Sequence, residues 1–242
     1  MNNIPEFPNQ TEITSEHVEI IKKALVDQDI RSADYSVYYL TGWFYHRPAR
    51  ISRIGERLVL DVEGKQGGHI FLGPLGTGPI KPAVEKLLHH AEKDFGEERV
   101  LRFLPHRLAE AISAEITPIR SEEHRDYFDY LYLREELADL TGGKFAKRRN
   151  QLNKFQRENN AEVIILKEED NAQILKCLDR WYENYGDEDP FLEMERESVR
   201  RMLPNLWKLG GMGIRVQVQE HMCGISWAVP ITDETWLVPV EK

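Results

Sequence analysis

Few cysteines are present: Cys177 and Cys223 stand alone, too sparse for a disulfide framework and without metal-ligand spacing. They are expected to be reduced, in a cytoplasmic protein. No run of about 18 apolar residues occurs, which argues against a membrane span. The opening "MNNIPEFPNQTEIT" has neither a basic start nor an apolar stretch, so it does not read as a secretory signal. No glycine-rich stretch ends in the Lys-Ser/Thr pair of a P-loop. No Ser-His-Asp or Cys-His arrangement can be argued from spacing, and His89 and His90, adjacent on an expected helix, cannot both face one metal, so no metal site is assigned. Positive charge is also scarce: the 242 residues carry a formal charge of −9, which disfavours non-specific binding to nucleic acid or anionic membrane.

What positive charge exists is unevenly placed. Residues 1–140 hold 17 basic and 24 acidic groups, and residues 158–242 hold 9 and 17. Between them, residues 141–157 contain Lys144, Lys147, Arg148, Arg149, Lys154 and Arg157 and no acid. Any contact with a polyanion is therefore expected to be local.

Helix and strand patterns alternate on both sides of this island. "SEHVEIIKKALVDQ" spaces Val18, Ile21, Ala24 and Leu25 as a helix with Ser15 as N-cap, whereas periodicity does not settle "ADYSVYYLTGW". "ARISRIG" and "RLVLDVEG" read as strands. "GHIFLGPLGTGPIKPAVEKLLHHAEKDFG" reads as strand, turn and a helix closed by Gly96. "RVLRFLP", "ITPIRS" and "DYFDYLYL" suggest further strands around a short helix, "HRLAEAIS". Beyond the island, "AEVIILK" is a strand, "NAQILKCLDRWYENYG" a helix, and "EMERESVRRMLPNLWKLG" a helix interrupted or kinked by Pro204. "GIRVQVQE", "GISWAVPI" and "TWLVPVEK" close the chain as strands. The expected class is α+β or α/β, divided near residue 140.

As a helix, residues 143–158 place Phe145, Leu152 and Phe155 on the side that should face a core. Lys147, Asn150, Lys154 and Arg157 point away, and Arg149 and Asn153 lie on a flank. Arg148 projects from within the apolar stripe, and a guanidinium cannot shed its charge there. It needs an internal salt bridge or a snorkelling path to water; the functional alternative, for Arg148 and the outward cations alike, is a phosphate-bearing partner such as tRNA or coenzyme A. The outward cations otherwise read as a solvated face.

The block 126–155, "DYFDYLYLREELADLTGGKFAKRRNQLNKF", resembles the hallmark of the phosphatidylglycerol lysyltransferase C-terminal-like family. Phe128, Asp129, Tyr130 and Tyr132 match its aromatic element; Leu137, Leu140, Gly142, Lys144 and Phe145 match the next. Arg148, Arg149, Asn150, Leu152, Asn153, Lys154 and Phe155 match the third. Ser32, Asp34, Tyr35, Ser36 and Trp43 resemble an early family element. The resemblance implies α+β architecture with two tandem GNAT-like domains, residues 1–140 and 141–242, the second lacking its C-terminal half. It further implies aminoacyl or acyl transfer from aminoacyl-tRNA or acyl-CoA to an undefined acceptor, with no tightly bound cofactor and no DNA partner. Arg148, Arg149, Asn150 and Lys154 would bind donor phosphates or the acceptor, and no general base is assigned. Ala146 and Gln151 depart from the family, which often carries histidines in this helix. A non-catalytic binding or scaffold protein, or an inactive fragment, is the rival.

Two further features have structural readings beside functional ones. Gly73, Gly76 and Gly78 occupy a strand-to-helix loop, but Pro74, Pro79 and Pro82 remove the amides a phosphate cradle needs, so a structural turn is expected. Asp187, Glu188 and Asp189 read as helix-capping acids, or as a site for a cationic group. Trp181 and Tyr185 read as core rather than as a base-stacking platform.

Overall fold

The computed structural model describes residues 4–43, 48–63, 69–95, 101–117, 120–185 and 190–242. The acidic triplet 187–189 and Gly96 lie outside these residues. The chain is of mixed α and β structure with two four-stranded antiparallel sheets.

The first sheet comprises β1 (Thr11–Glu12), β2 (Arg50–Ile54), β3 (Arg57–Glu63) and β4 (His69–Leu75), in that order. Alternation along β3 sends Leu58, Leu60 and Val62 to one face and Val59 and Asp61 to the other. The first face packs with Ile21, Ala24 and Leu25 of α1 (Val18–Asp27), with α2 (Val37–Leu40), and with Leu108 and Ile112 of α4 (His106–Glu115). The second face packs Val59 and Phe71 with Phe7 and with Leu87 and Ala91 of α3 (Ile80–Phe95). Asp61, fully buried, is met by His69 Nδ1 at 2.9 Å. The end of β4, from Gly73, and the turn after it lead into α3. Arg57 closes this turn by donating to the carbonyls of Pro74 at 3.1 Å and of Gly78 at 2.6 Å.

The second sheet runs β5 (Ala161–Ile165), β6 (Met212–Val218), β7 (His221–Pro230), β8 (Trp236–Glu241). Two helices, α7 (Asn171–Tyr185) and α8 (Pro190–Lys208), cover one face with Ile174, Leu178, Met202, Leu203 and Leu206 against Ile225, Trp227, Val229 and Val240. Of the interruption or kink expected at Pro204, the interruption does not occur, and α8 runs through it. The proline ring lies on the exposed side, where the carbonyl that loses its N–H partner can meet water. The N-cap before α1 is Thr14 rather than Ser15, at the head of a 3-10 turn that leads into the helix.

Three expected strands do not form among the described residues. Phe103 adopts a left-handed backbone (φ 56) that breaks "RVLRFLP", and its carbonyl accepts from the Tyr35 hydroxyl at 3.1 Å. The described part of "ITPIRS" is irregular. "DYFDYLYL" forms a 3-10 turn at Arg125–Tyr127 and then runs without a ladder partner. Between the sheets follow α5 (Arg134–Asp139) and α6 (Ala146–Glu158).

The two halves meet along α2 and α8. Trp227 Nε1 donates to Tyr38 Oη at 2.8 Å, with both side chains buried, and Asn205 Nδ2 donates to Thr41 Oγ1 at 3.2 Å. Gly42 allows this approach: a Cβ there would stand 2.0 Å from Met202 Cγ. Each core borrows a residue from the other half, Ile231 in the first and Tyr38 in the second.

Candidate functional site

The basic helix forms as its sequence predicts, but its surroundings differ. Phe145 is buried in the 3-10 turn that leads into α6, while Leu152 is 44% and Phe155 37% exposed. No residue of α6 itself is buried, so the stripe expected to face a core instead meets water. Arg148 is accordingly an exposed cation and makes no ion pair among the described residues. Lys147, Asn150 and Lys154 are likewise exposed and without a side-chain partner among the described residues.

Arg149 is placed differently from its neighbours. It donates to the carbonyl of Leu140, and to that of Gly142 at 3.1 Å. Leu140 ends α5 in a left-handed conformation (φ 48), which leaves carbonyls unmatched by the helix ladder. The guanidinium of Arg149 clasps that turn, and so fixes where α6 begins. Lys144 pairs with Glu136 at 2.8 Å, tying the turn back to α5. The outward face is thus left to Lys147, Arg148, Asn150 and Lys154.

A second group of motif residues converges elsewhere. Asp129, from the aromatic stretch, accepts from the Ala33 backbone N–H at 3.0 Å across 96 residues of chain. That bond docks the stretch on the 3-10 turn Ala33–Tyr35, within which Asp34 lies. Burial, together with the neighbouring charge of Asp129, raises the Asp34 carboxyl to about 6. Asp34 makes no hydrogen bond or ion pair among the described residues, so it is a partly buried carboxylate with its oxygens uncommitted. The rest of the early motif is structural. Tyr35 is fully buried, and Ser36 caps α2 by accepting from Tyr39 N at 3.2 Å.

Tyr39 completes the group. Its hydroxyl is pushed up to about 12, by burial first and then by Asp129, Asp34 and Glu195. Its ring lies 5.4 Å from that of Trp43. The arrangement offers a carboxylate poised near neutral pH, a second acid beside it, and an aromatic wall, a set suited to taking a proton from a weakly acidic nucleophile. No hydrogen bond or ion pair among the described residues joins this group to Arg148, Asn150 or Lys154; the chain from Asp129 to α6 connects them. The sequence singled out Asp34 and Asp129 only as motif positions. Their convergence had no local signal, because each carboxylate sits among aromatics in its own segment. Among the described residues, no group of three or more His, Cys, Asp or Glu side chains forms a metal site. No helix of the described residues is long and apolar enough to cross a membrane.

Comparison with known proteins bears on this arrangement. The family model "Phosphatidylglycerol lysyltransferase, C-terminal" matches residues 28–242, which include both motif groups and the whole second sheet. The crystal structure of a conserved protein of unknown function from Bacteroides thetaiotaomicron superposes with a TM-score of 0.85 at 26% identity. The match covers 96% of this chain and 79% of that one. No curated protein matches the sequence.

Proposed function

Since the chain belongs to the phosphatidylglycerol lysyltransferase C-terminal family, we propose that it transfers an aminoacyl or acyl group from aminoacyl-tRNA or acyl-CoA to a hydroxyl or amine acceptor. On this reading, residues 1–140 and 141–242 are two GNAT-like units acting in the cytoplasm, where both donors are made. The observation that carries it is the pairing of an acid-free basic helix, open to solvent, with an uncommitted carboxylate of raised pKa in the same family-matched region.

Chemically, the acceptor oxygen or nitrogen attacks the donor carbonyl. The ester or thioester bond then breaks, and the tRNA ribose hydroxyl or coenzyme A thiol leaves. Asp34 accepts the acceptor's proton and returns it to the leaving oxygen or sulfur, which a carboxyl near 6 can do while remaining largely ionised at neutral pH between turnovers. Arg148 and Lys154 hold donor phosphates, Asn150 adds a neutral hydrogen-bonding group, and Arg149 keeps their helix in place. The activated group arrives on the donor, so the reaction requires no resident cofactor.

The test is transfer of labelled amino acid or acyl group from charged tRNA, or from acyl-CoA, to phosphatidylglycerol and to small amines. Asp34→Asn should lower kcat by at least tenfold. Arg148→Ala with Lys154→Ala should instead raise KM for the donor. No transfer from any donor would remove the transferase reading. A non-catalytic binding protein is the second reading, favoured by the solvent exposure of Leu152 and Phe155, a surface suited to a partner. It predicts an anionic ligand whose affinity falls in the Arg148 and Lys154 variants, without turnover.

A further inference from the structure

Lys242 is held in an unusual way. Its ammonium sits 3.8 Å from the ring centroid of Trp181 and 5.4 Å from that of Tyr182. The Glu195 carboxylate lies 3.1 Å away, and the Lys242 and Glu195 side chains are only 13% and 17% exposed. Two aromatic rings and one carboxylate around a largely desolvated ammonium form a cage of the kind that binds organic cations. Its parts come from three elements: Trp181 and Tyr182 from α7, Glu195 from α8, and Lys242 just past β8.

Two observations indicate that the lysine does not use up what the cage offers. The Tyr182 hydroxyl is buried beside Glu195, its hydrogen bond to that carboxylate falls short of full geometry, and no other partner among the described residues reaches it. A buried hydroxyl in that state calls for a partner. Beside the cage opens a pocket of about 240 Å³, whose lining includes Trp181, Lys242, Arg180, Cys177, Asn184 and Met222. The Lys242 backbone is fixed independently of its side chain, exchanging hydrogen bonds with Ile225 at 2.8 and 3.0 Å. The side chain can therefore leave the cage without unpairing the sheet.

We propose that Trp181, Tyr182 and Glu195 form a binding site for a small organic ammonium ion, which Lys242 fills in cis and which an external alkylammonium ligand can occupy in its place. An ammonium entering from the pocket can donate to Glu195 and to the Tyr182 oxygen while its alkyl part covers the Trp181 face. The site stands on this geometry alone and does not depend on the transferase reading.

Chemical rescue tests it in the full-length protein. Lys242→Ala should melt several degrees below wild type, and millimolar n-butylammonium chloride should restore at least half of that loss. Wild type should shift much less, because its cage is filled, and sodium chloride at equal ionic strength should rescue nothing. In Lys242→Ala, adding Glu195→Gln or Trp181→Leu should abolish the rescue. Lys242→Met, which keeps the stem, serves if Lys242→Ala does not fold; there methylammonium, small enough to sit at the end of the stem, should raise the melting temperature and change tryptophan emission. The proposal is overturned if alkylammonium ions leave both Lys242 variants unchanged, if they stabilise wild type equally, or if rescue survives loss of Glu195.

Discussion

The two sheets have the same strand count and the same antiparallel order, yet they meet water differently. In the first, Leu60 on one face and Val59 on the other are both fully buried, because helices or the N-terminal segment lie on each side. In the second, the side facing α7 and α8 is buried, while Val163, Ile165, Met212 and Val238 on the strands are 66%, 72%, 59% and 56% exposed. Among the described residues, Val26 is the one large apolar residue before Tyr127 found exposed; the others run from the aromatic stretch to β8. A sandwiched sheet spends its apolar residues on stability, whereas a half-covered one keeps part of them at the surface, where they are available for contact.

That contrast can be broken most directly by truncation. Leu60→Ala should cost about 2–5 kcal/mol of unfolding free energy, and Ile165→Ala no more than about 0.5 kcal/mol. Urea melts of the two variants decide it; equal losses would mean that the outer face of the second sheet is covered in solution. Next in size is the pH response of Asp34. Its folded-state pKa is raised from 3.8 to about 6, so the fold favours the protonated form. The penalty for ionisation is absent below the unfolded pKa and grows as pH rises to the folded value. Asp34→Asn should therefore stabilise the protein above pH 6 by at most about 3 kcal/mol, and the gain should vanish near pH 4. Melting temperatures of variant and wild type across that window read it directly.

Smaller effects test the join and the clasp. Trp227→Phe removes the donor to Tyr38 and leaves a buried hydroxyl unsatisfied, at a cost of about 1–3 kcal/mol. Adding Tyr38→Phe should recover part of this in a double-mutant cycle, which would sharpen the view that this buried bond helps to couple the halves. Smallest is the difference between adjacent arginines. Arg149→Ala should cost about 1 kcal/mol through the lost turn carbonyl bonds, and Arg148→Ala within about 0.5 kcal/mol. Denaturant midpoints suffice to separate them.

Local pattern carried the helices and most strands. The alternation in "GISWAVPI", with Ile225, Trp227 and Val229 inward, is visible in the sequence and holds in β7. The same kind of apolar reading failed for "DYFDYLYL". An aromatic-rich run looks alike whether a ladder partner exists or not, and pairing is a tertiary property. Phe103 and Leu140 adopt left-handed backbones without being Gly or Asn, so no residue type announced those breaks. For α6 the helix was legible and its environment was not. A stripe of Phe145, Leu152 and Phe155 specifies a face, but not whether anything lies against it. The basic side chains were likewise legible as a group, whereas the commitment of Arg149 to a turn depended on the conformation of Leu140.

The bond from Trp227 to Tyr38 has a practical use. Trp227 is the indole whose N–H reaches directly across to the first half, from a fully dry position. Its emission should therefore act as a built-in optical gauge of whether the halves are seated. A protein in which Trp43, Trp181, Trp207 and Trp236 are replaced by phenylalanine would turn a denaturant titration into a readout of that one joint.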